Sequence, residues 1–336
     1  GDKTPMEPWD GAYYVEKLTQ KELHLEEEAL RPYFEFNRVR DSLFTLSGKL
    51  WGVKFRQVKN HKTWHPEAQY YEVLDGKRVL GGFYTDFFPR VTKRSGAWKE
   101  AFLYGLPTPD GKLTPHVCTI CGNFTPPSGK LPALLTHDEV TTFYHEFGHL
   151  MHAMLSNVPV TPLAGSRVPW DFVELPSQFL ENYCYDAHYL KTLGKHYKTG
   201  EPLPEKIIRQ LVKSQKFLKA LGVNGQLSSA TMDMYLHTQK NPPRDIEKTL
   251  KKVLKPFRMP YKSRGPTHVN TFSHIWHSGY EAGYYSYQWS NVLEADVWEF
   301  FKKHGPLSRK VGERFRKTIL SKGNSKPAIE LYKDMM

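Results

Sequence analysis

The chain has few cysteines, no long apolar run and no recognisable targeting segment. Its 336 residues include three cysteines, an odd and small number that argues against a disulfide-stapled secreted domain and for a reducing compartment. No apolar stretch approaches the roughly 18 residues that cross a bilayer, so we expect no membrane partner. The sequence begins with Gly1 and shows neither a signal peptide nor a transit sequence. We therefore expect a cytoplasmic protein, or an organellar one if a transit peptide was removed.

Acidic residues are outnumbered by basic ones. The chain has 35 Asp and Glu residues against 47 Lys and Arg residues, a formal net charge of +12. A basic balance can indicate a nucleic-acid partner. Here the basic residues are spread along the chain in short runs such as 248–255, and no nucleic-acid recognition motif is visible, so we expect no such partner. The 39% hydrophobic residues are typical of a folded globular protein.

Turn signals and apolar spacing predict a mostly helical chain with a small β region, an α+β fold. Residues 17–52 favour helices, whereas the pattern over residues 67–124 is typical of strands. We therefore expect residues 1–130 to form helices and a small antiparallel β region. Residues 131–336 are expected to form a helical catalytic region, joined with the first part in one continuous unit.

Two features stand out in the β region. Asp75-Gly76 is typical of a tight hairpin turn, because glycine supplies a positive φ there. Cys118 and Cys121 have the C-x-x-C spacing, which can indicate a metal or redox site. Without a second pair this signal is weak, and the apolar neighbours Val117 and Ile120 favour a buried core strand instead.

Residues 134–152 predict an amphipathic helix. Thr136 and Glu139 have the spacing of a capping box, so we expect the helix to begin there. Apolar residues then recur at the i, i+3, i+4, i+7 spacing of a single helix face. Three histidines in the second half of the segment fall together on the opposite face: His145, His149 and His152.

His145-Glu146-Phe147-Gly148-His149 is an H-E-x-x-H motif. Side chains four residues apart lie one helical turn apart, with Cβ atoms about 5–6 Å from each other. Two imidazoles can then converge on one ion, at Zn–N distances of about 2.0–2.1 Å. Glu146 flanks the first of them, where it can act on an activated water molecule as a general base. The alternative is a buried helix whose polar face merely carries histidines.

A catalytic zinc site usually has three protein ligands, so a third is needed. A carboxylate from a helix downstream would supply it, and residues 171–182 are the best candidate. Pro176 suits the first turn of a helix. Glu174, Gln178 and Glu181 then share one polar face, which an ordinary core helix would not need. The alternative interpretation is a solvated helix face.

Residues 272–287 contain an unusual group of aromatic residues, with four tyrosines among the last eight. Phenol and imidazole donors can stabilise the negative charge that develops on a carbonyl oxygen during hydrolysis. A tyrosine stripe also serves as core or interface packing. His274 and His277 could form a second metal pair, although nothing nearby completes it. Three of the tyrosines would line one helix face: Tyr280, Tyr284 and Tyr287.

Together these motifs resemble the catalytic region of the thimet oligopeptidase/oligopeptidase A family of zinc peptidases. The resemblance rests on residues 136–152, on residues 274–287, and on residues 171–182. His145 and Glu174 are 29 positions apart, as in that family. Further similarity is found upstream at 83–90 and 121–124, so that the resemblance extends over nearly the whole chain.

The resemblance implies a zincin-like fold and a metallopeptidase that hydrolyses internal bonds of short unstructured peptides. It implies one zinc ion per chain, with His145, His149 and Glu174 as ligands and Glu146 as general base. The remaining implied roles fall into three groups. Transition-state stabilisation is assigned to His274, Tyr280 and Tyr287, substrate contact to Tyr284 and Gly279, and orientation of the ligands to Asp171 and Glu181.

The chain also departs from the family pattern. Ala164-Gly165-Ser166 stands where the family usually has Ser-Gly-Thr, and His277-Ser278-Gly279-Tyr280 stands where Ala-Gly-Gly-Tyr is common. Family members are typically about twice as long, and their N-terminal half forms one wall of a channel that excludes folded proteins. The alternative function is therefore a catalytically silent peptide-binding scaffold, or a fragment that requires a missing N-terminal half.

Overall fold

The computed structural model describes residues 5–263, 265 and 267–336, which group into two compact units. The small unit comprises the described residues of Gly1–Glu26 together with Arg209–Trp289. The large unit comprises Glu27–Ile208 and Ser290–Met336. The boundary predicted at residue 130 lies inside the large unit.

Helices make up most of the regular structure, as the sequence predicts. Among the described residues, no helix is long and apolar enough to cross a membrane. The helices are α1 (Asp10–Leu23), α2 (Glu27–Leu30), α3 (Phe36–Trp51), α4 (His137–Met154), α5 (Trp170–Val173), α6 (Leu175–Glu181), α7 (Ala187–Leu193), α8 (Glu205–Ser214), α9 (Lys219–Thr238), α10 (Ile246–Val253), α11 (Ser286–His304), α12 (Arg309–Phe315) and α13 (Ala328–Met335). The strands are β1 (Val53–Gln57), β2 (Gln69–Asp75), β3 (Arg78–Asp86), β4 (Trp98–Leu103) and β5 (His116–Cys121).

The five strands form one sheet of the large unit, in the order β1-β2-β3-β5-β4. Strands β2 and β3 pair antiparallel, and Gly76 between them has φ +60°, as the predicted Asp-Gly turn requires. The pairing of β3 with β5 is parallel, so the sheet is mixed rather than antiparallel as predicted. The reason is that β5 inserts between β3 and β4 and runs antiparallel to β4. Strand β1 lies outside the predicted β region.

The C-x-x-C pair belongs to the core of the sheet. Cys118 and Cys121 are both buried free thiols of β5. Burial raises the pKa of the Cys118 thiol to about 12, which opposes formation of the thiolate that binds metals. The buried-strand interpretation of this segment is therefore confirmed.

Asp86, at the end of β3, ties the following loop to the sheet. Its carboxylate is 2% exposed and accepts hydrogen bonds from Arg90, from Lys93 at 2.7 Å and from the indole of Trp64 at 2.7 Å. Burial alone would raise the pKa of Asp86, but these hydrogen bonds outweigh it and hold the pKa far below its ordinary value. The Lys93 ammonium also donates to the carbonyl of Gly122, which follows β5.

Helix α4 packs its apolar face against the sheet. Phe143 and Phe147 are fully buried there. The ring of Phe147 contacts those of Phe44, Phe55 and Phe83, with centroids 5.6–6.2 Å apart. This face fixes α4 against α3, β1 and β3. The histidine face of α4 consequently points away from the sheet core, toward α6.

The small unit has a core of its own, formed by α9, α10 and the segment before α11. Met232, Leu250 and Ile275 are completely buried in it. Tyr280 and Tyr287 pack against this cluster and are partly buried, while Tyr284 is 9% exposed. The aromatic segment singled out in the sequence is therefore attached to a hydrophobic core.

Candidate active site

Helix α4 begins where the sequence predicts. The Thr136 hydroxyl accepts a hydrogen bond from the Glu139 N–H at 3.0 Å, and the Glu139 carboxylate accepts one from the Thr136 N–H at 2.8 Å. This reciprocal pair is a complete capping box. Glu139 also accepts a hydrogen bond from the Thr125 N–H at 2.6 Å. The start of the helix is thereby fixed to the chain that follows β5.

Three side chains converge to form a potential metal site. The Nε2 atoms of His145 and His149 lie 3.2 and 3.1 Å from Oε2 of Glu174. The ligand atoms of the three residues all lie within 4.8 Å of one another. Ligands about 2.0–2.1 Å from a tetrahedral zinc ion stand about 3.3 Å apart, close to the observed separations. The donor set therefore fits zinc.

Glu174 lies between the short helices α5 and α6 and is fully buried. Its Oε2 atom accepts a hydrogen bond from the Ser177 hydroxyl at 2.7 Å, which fixes the carboxylate plane. Burial alone would raise the pKa of Glu174, but His149 and His145 outweigh it and hold the pKa well below its ordinary value. The carboxylate is consequently ionised, as a metal ligand must be.

Glu146 is next to the first histidine but does not join the ligand group. It is 7% exposed, and its buried Oε2 atom has no hydrogen-bond partner among the described residues. Burial raises the pKa of Glu146, although His145 and His149 oppose the rise. An unpartnered carboxylate oxygen beside a metal site is the arrangement that a general base requires.

Asp171 and Glu181 are predicted to orient the ligands, and Glu181 contacts one of those ligands, His145. Its Oε1 atom lies 2.7 Å from Nδ1 of His145. Since a carboxylate accepts, Nδ1 donates this hydrogen bond, and Nε2 would be the atom of His145 available to a metal ion. Asp171 accepts a hydrogen bond from Ser290 through its backbone carbonyl. Its carboxylate is not among the partners of His145 within the described part of the chain.

His152 shares the helix face of the two ligands but is not a member of the group. It is completely buried, and its two ring nitrogens have no partner in the described residues. Burial, with a smaller effect from His149, lowers the pKa of His152 to about 3. The possible second metal pair, His274 and His277, is also absent from the groups of donors found in the described residues.

The aromatic residues predicted to act on the substrate cluster in the small unit. The rings of Tyr280 and Tyr287 are stacked, with centroids 5.0 Å apart and planes at 11°. The ring of His274 lies 5.8 Å from Tyr280, 5.9 Å from Tyr284 and 6.5 Å from Tyr287. Gly279 has φ +89°, a conformation that favours glycine. The structure therefore brings these predicted residues together with one another.

Two residues near the ligands escaped the sequence reasoning. Ser177 orients Glu174, and its position three residues later on the same helix face was a usable signal. Gly148 lets α4 approach α6, because a Cβ atom there would lie 2.4 Å from the Pro176 carbonyl oxygen. No sequence pattern could reveal that contact, since it depends on how the two helices pack.

A helix that carries H-E-x-x-H, completed by a glutamate from a second helix beside a small mixed sheet, defines a zincin-like peptidase fold. A solved structure of PZ peptidase A with an inhibitor shares this fold over 96% of the chain and 51% of its own, with a TM-score of 0.56 and 14% identity. The chain belongs to peptidase family M3, whose model matches residues 1–336.

Curated relatives include oligopeptidase A of Escherichia coli, 39% identical over 335 residues, and oligopeptidase A of Salmonella typhimurium, 38% identical over 332. Each alignment covers 98% of this chain and 49% of the relative. The chain thus spans about half the length of these relatives. An organellar oligopeptidase A of Arabidopsis thaliana is 35% identical over 97% of this chain and 43% of its own length. The cytoplasmic location stays a prediction.

Proposed function

We propose that the chain is the catalytic part of a zinc-dependent oligopeptidase that hydrolyses internal bonds of short, unstructured peptides. The observation that carries the proposal is the ligand geometry, in which His145, His149 and Glu174 place three ligand atoms within 4.8 Å of one another. Buried Glu146 beside them retains an unpartnered oxygen. Membership of a peptidase family and the oligopeptidases among its relatives support the same function.

Each residue has a distinct task in the proposed reaction. The imidazoles of His145 and His149 and the carboxylate of Glu174 would hold the zinc ion. Zinc supplies Lewis acidity, which lowers the pKa of water and polarises a carbonyl group. Glu146 accepts the proton of the attacking water and then delivers it to the leaving amine. Glu181 and Ser177 hold His145 and Glu174 in their ligating orientations.

The proposal also assigns roles to the tyrosine cluster, which is formed by His274, Tyr280, Tyr284 and Tyr287. His274, Tyr280 and Tyr287 are assigned to donate hydrogen bonds to the carbonyl oxygen as it becomes negative. Tyr284 and Gly279 are assigned to contact the substrate. Support comes from the family resemblance and from the close packing of these rings in the small unit. Asp171 remains a candidate for orienting the ligands.

Strand β4 is suited to bind the backbone of a peptide. It lies at an edge of the sheet, and among the described strands it pairs with β5 alone, so its outer side is open to pairing with a peptide. Helix α4, which carries the proposed base Glu146, contacts this strand. An extended peptide can pair with such an edge, whereas most backbone groups of a folded protein are already paired within it. This accounts for the proposed preference for unstructured substrates.

The test is mass spectrometry of synthetic peptides of graded length after incubation with the zinc-loaded chain, with and without a chelator. We expect internal cuts that the chelator abolishes and that added zinc restores. A matched control is the Glu146→Gln chain, which has the same three ligands. The absence of cuts despite one bound zinc per chain would contradict the proposal and favour the silent scaffold.

A further inference from the structure

Asp233 of α9 is a buried acid with no part in the metal site. Its side chain is 0% exposed and lies in the core of the small unit. Oδ1 accepts a hydrogen bond from the Ala282 N–H at 2.9 Å, and Oδ2 accepts one from the Tyr284 N–H at 2.9 Å. Both carboxylate oxygens therefore hold the backbone of residues 272–287, called here the tyrosine segment.

His237, one helical turn after Asp233, provides a partner for the buried carboxylate. Its Nδ1 atom lies 2.8 Å from Oδ1 of Asp233. The same Nδ1 atom lies 3.0 Å from the backbone carbonyl oxygen of Asp233, and because a carbonyl oxygen only accepts hydrogen bonds, Nδ1 carries a proton. The His237 ring also packs near Trp276, with centroids 5.7 Å apart. The pair thus contacts the tyrosine segment at two places, Trp276 and residues 282–284.

The segment held in this way is conformationally strained. Ala282 has φ +55°, in the left-handed region that residues with a Cβ rarely adopt. Such a conformation persists only where the surroundings impose it. Asp233 imposes the left-handed conformation of Ala282, because the N–H groups of Ala282 and Tyr284 both donate hydrogen bonds to its carboxylate. The fixed segment lies between Tyr280 and Tyr287, whose stacked rings depend on the path of the chain that joins them.

We propose that Asp233 is a positioning residue, which locks the backbone at residues 282–284 and thereby sets the places of the Tyr280 and Tyr287 hydroxyls. The catalytic consequence rests on the proposed function, in which these hydroxyls stabilise the transition state. The fixing of the backbone at residues 282–284 does not rest on the proposed function, because it follows from contacts within the small unit. The two parts can therefore be tested separately.

The test compares Asp233→Asn with the wild-type chain. The substitution keeps the volume of the side chain but replaces one accepting oxygen with an amino group, so one backbone N–H loses its acceptor. The matched control is Glu247→Gln in α10. Glu247 likewise accepts from the N–H and the hydroxyl of Thr267, each at 2.6 Å, and so holds a different segment of the same unit.

Four quantities are measured: hydrogen exchange of residues 279–287, zinc content, kcat and KM. For Asp233→Asn we expect exchange about tenfold faster in this segment and a fall in kcat of about tenfold or more, with zinc content and KM nearly unchanged. Glu247→Gln should leave the hydrogen exchange of residues 279–287, the zinc content, kcat and KM unchanged. Unaltered exchange in Asp233→Asn would overturn the lock, and faster exchange with an unaltered kcat would overturn its catalytic role. If Asp233→Asn exchanges faster but the wild-type chain cleaves no peptide, the lock is supported and the proposed function is refuted.

A second variant covers the case in which Asp233→Asn is too unstable to assay. Ala282→Gly removes the left-handed strain at its source, because glycine adopts a positive φ without penalty. Combined with Asp233→Asn, it should restore enough stability for the exchange of residues 279–287 to be measured. If the double variant is as unstable as Asp233→Asn alone, Asp233 does not act through the strained backbone and the proposal fails.

Discussion

Gly148→Ala should loosen the metal site without touching a ligand. The added Cβ would lie 2.4 Å from the Pro176 carbonyl oxygen and 2.5 Å from the Ser177 Cα, both backbone atoms. Since ordinary contact begins near 3.4 Å, α4 and α6 must separate by roughly 1 Å. Helix α4 carries His145 and His149, whereas Glu174 directly precedes α6. A separation of this size is several times the tolerance of about 0.2 Å in zinc–ligand distances.

We therefore expect the zinc affinity of Gly148→Ala to fall by about 100-fold or more, the upper range for loss of a supporting contact. Competition with a chromophoric chelator at fixed pH measures this affinity, and circular dichroism shows whether the helices persist. Gly222→Ala in α9 is the matched control, because a Cβ there meets nothing within 4 Å. It should keep zinc affinity and gain about 0.5–1 kcal/mol of stability, as alanine does over glycine in a helix.

The comparison of the two variants distinguishes the effect of the close approach between α4 and α6 from a general effect of alanine in a helix. Wild-type zinc affinity in Gly148→Ala would contradict this prediction, because it would mean that the ligands tolerate a wider gap between α4 and α6. An equal loss of affinity in Gly222→Ala would refute it as well. In that case the cause could not be the close approach of the two backbones.

Three further predictions follow from the large unit. Glu146→Gln should retain stoichiometric zinc, measured by elemental analysis, and lose nearly all turnover; a rate near wild type would remove Glu146 from the role of base. Ser177→Ala should weaken zinc binding by about 10–100-fold, because Glu174 loses a fixing hydrogen bond. Asp86→Asn should lower the free energy of unfolding at pH 7 by about 3–5 kcal/mol, because it leaves buried Lys93 uncompensated. Since the folded pKa of Asp86 is depressed, its stabilisation is present above about pH 4 and lost as the pH falls further, so urea titrations of the two chains should converge in acid.

The parts of the site that depend on nearby residues were predictable. The capping box of α4 and the Asp75-Gly76 turn are each set by a few neighbouring residues, and both are present. The convergence of His145 and His149 follows from helical geometry alone. Glu174 required more, because its approach to the histidines depends on a second helix, and the family resemblance supplied it.

Features that depend on distant parts of the chain escaped prediction. The parallel pairing of β3 with β5 brings together strands separated by β4, which local spacing does not indicate. Asp233 is one of many polar residues in the sequence of α9, and its two hydrogen bonds reach 49 and 51 residues along the chain. Gly148 matters only because α4 and α6 meet. In each case tertiary packing decides the outcome, and propensity and periodicity carry no information about it.

The division of the chain into units has a consequence for its synthesis. Each unit is built from two segments that alternate along the sequence, so the large unit begins at Glu27 and is completed only by Ser290–Met336. The small unit likewise needs Arg209–Trp289 to join its N-terminal segment. A ribosome therefore cannot release one finished unit before it starts the other, in contrast to domains that fold one after another as they emerge. The three proposed zinc ligands, in contrast, lie within residues 145–174 of the large unit, so all three leave the ribosome before either unit is complete.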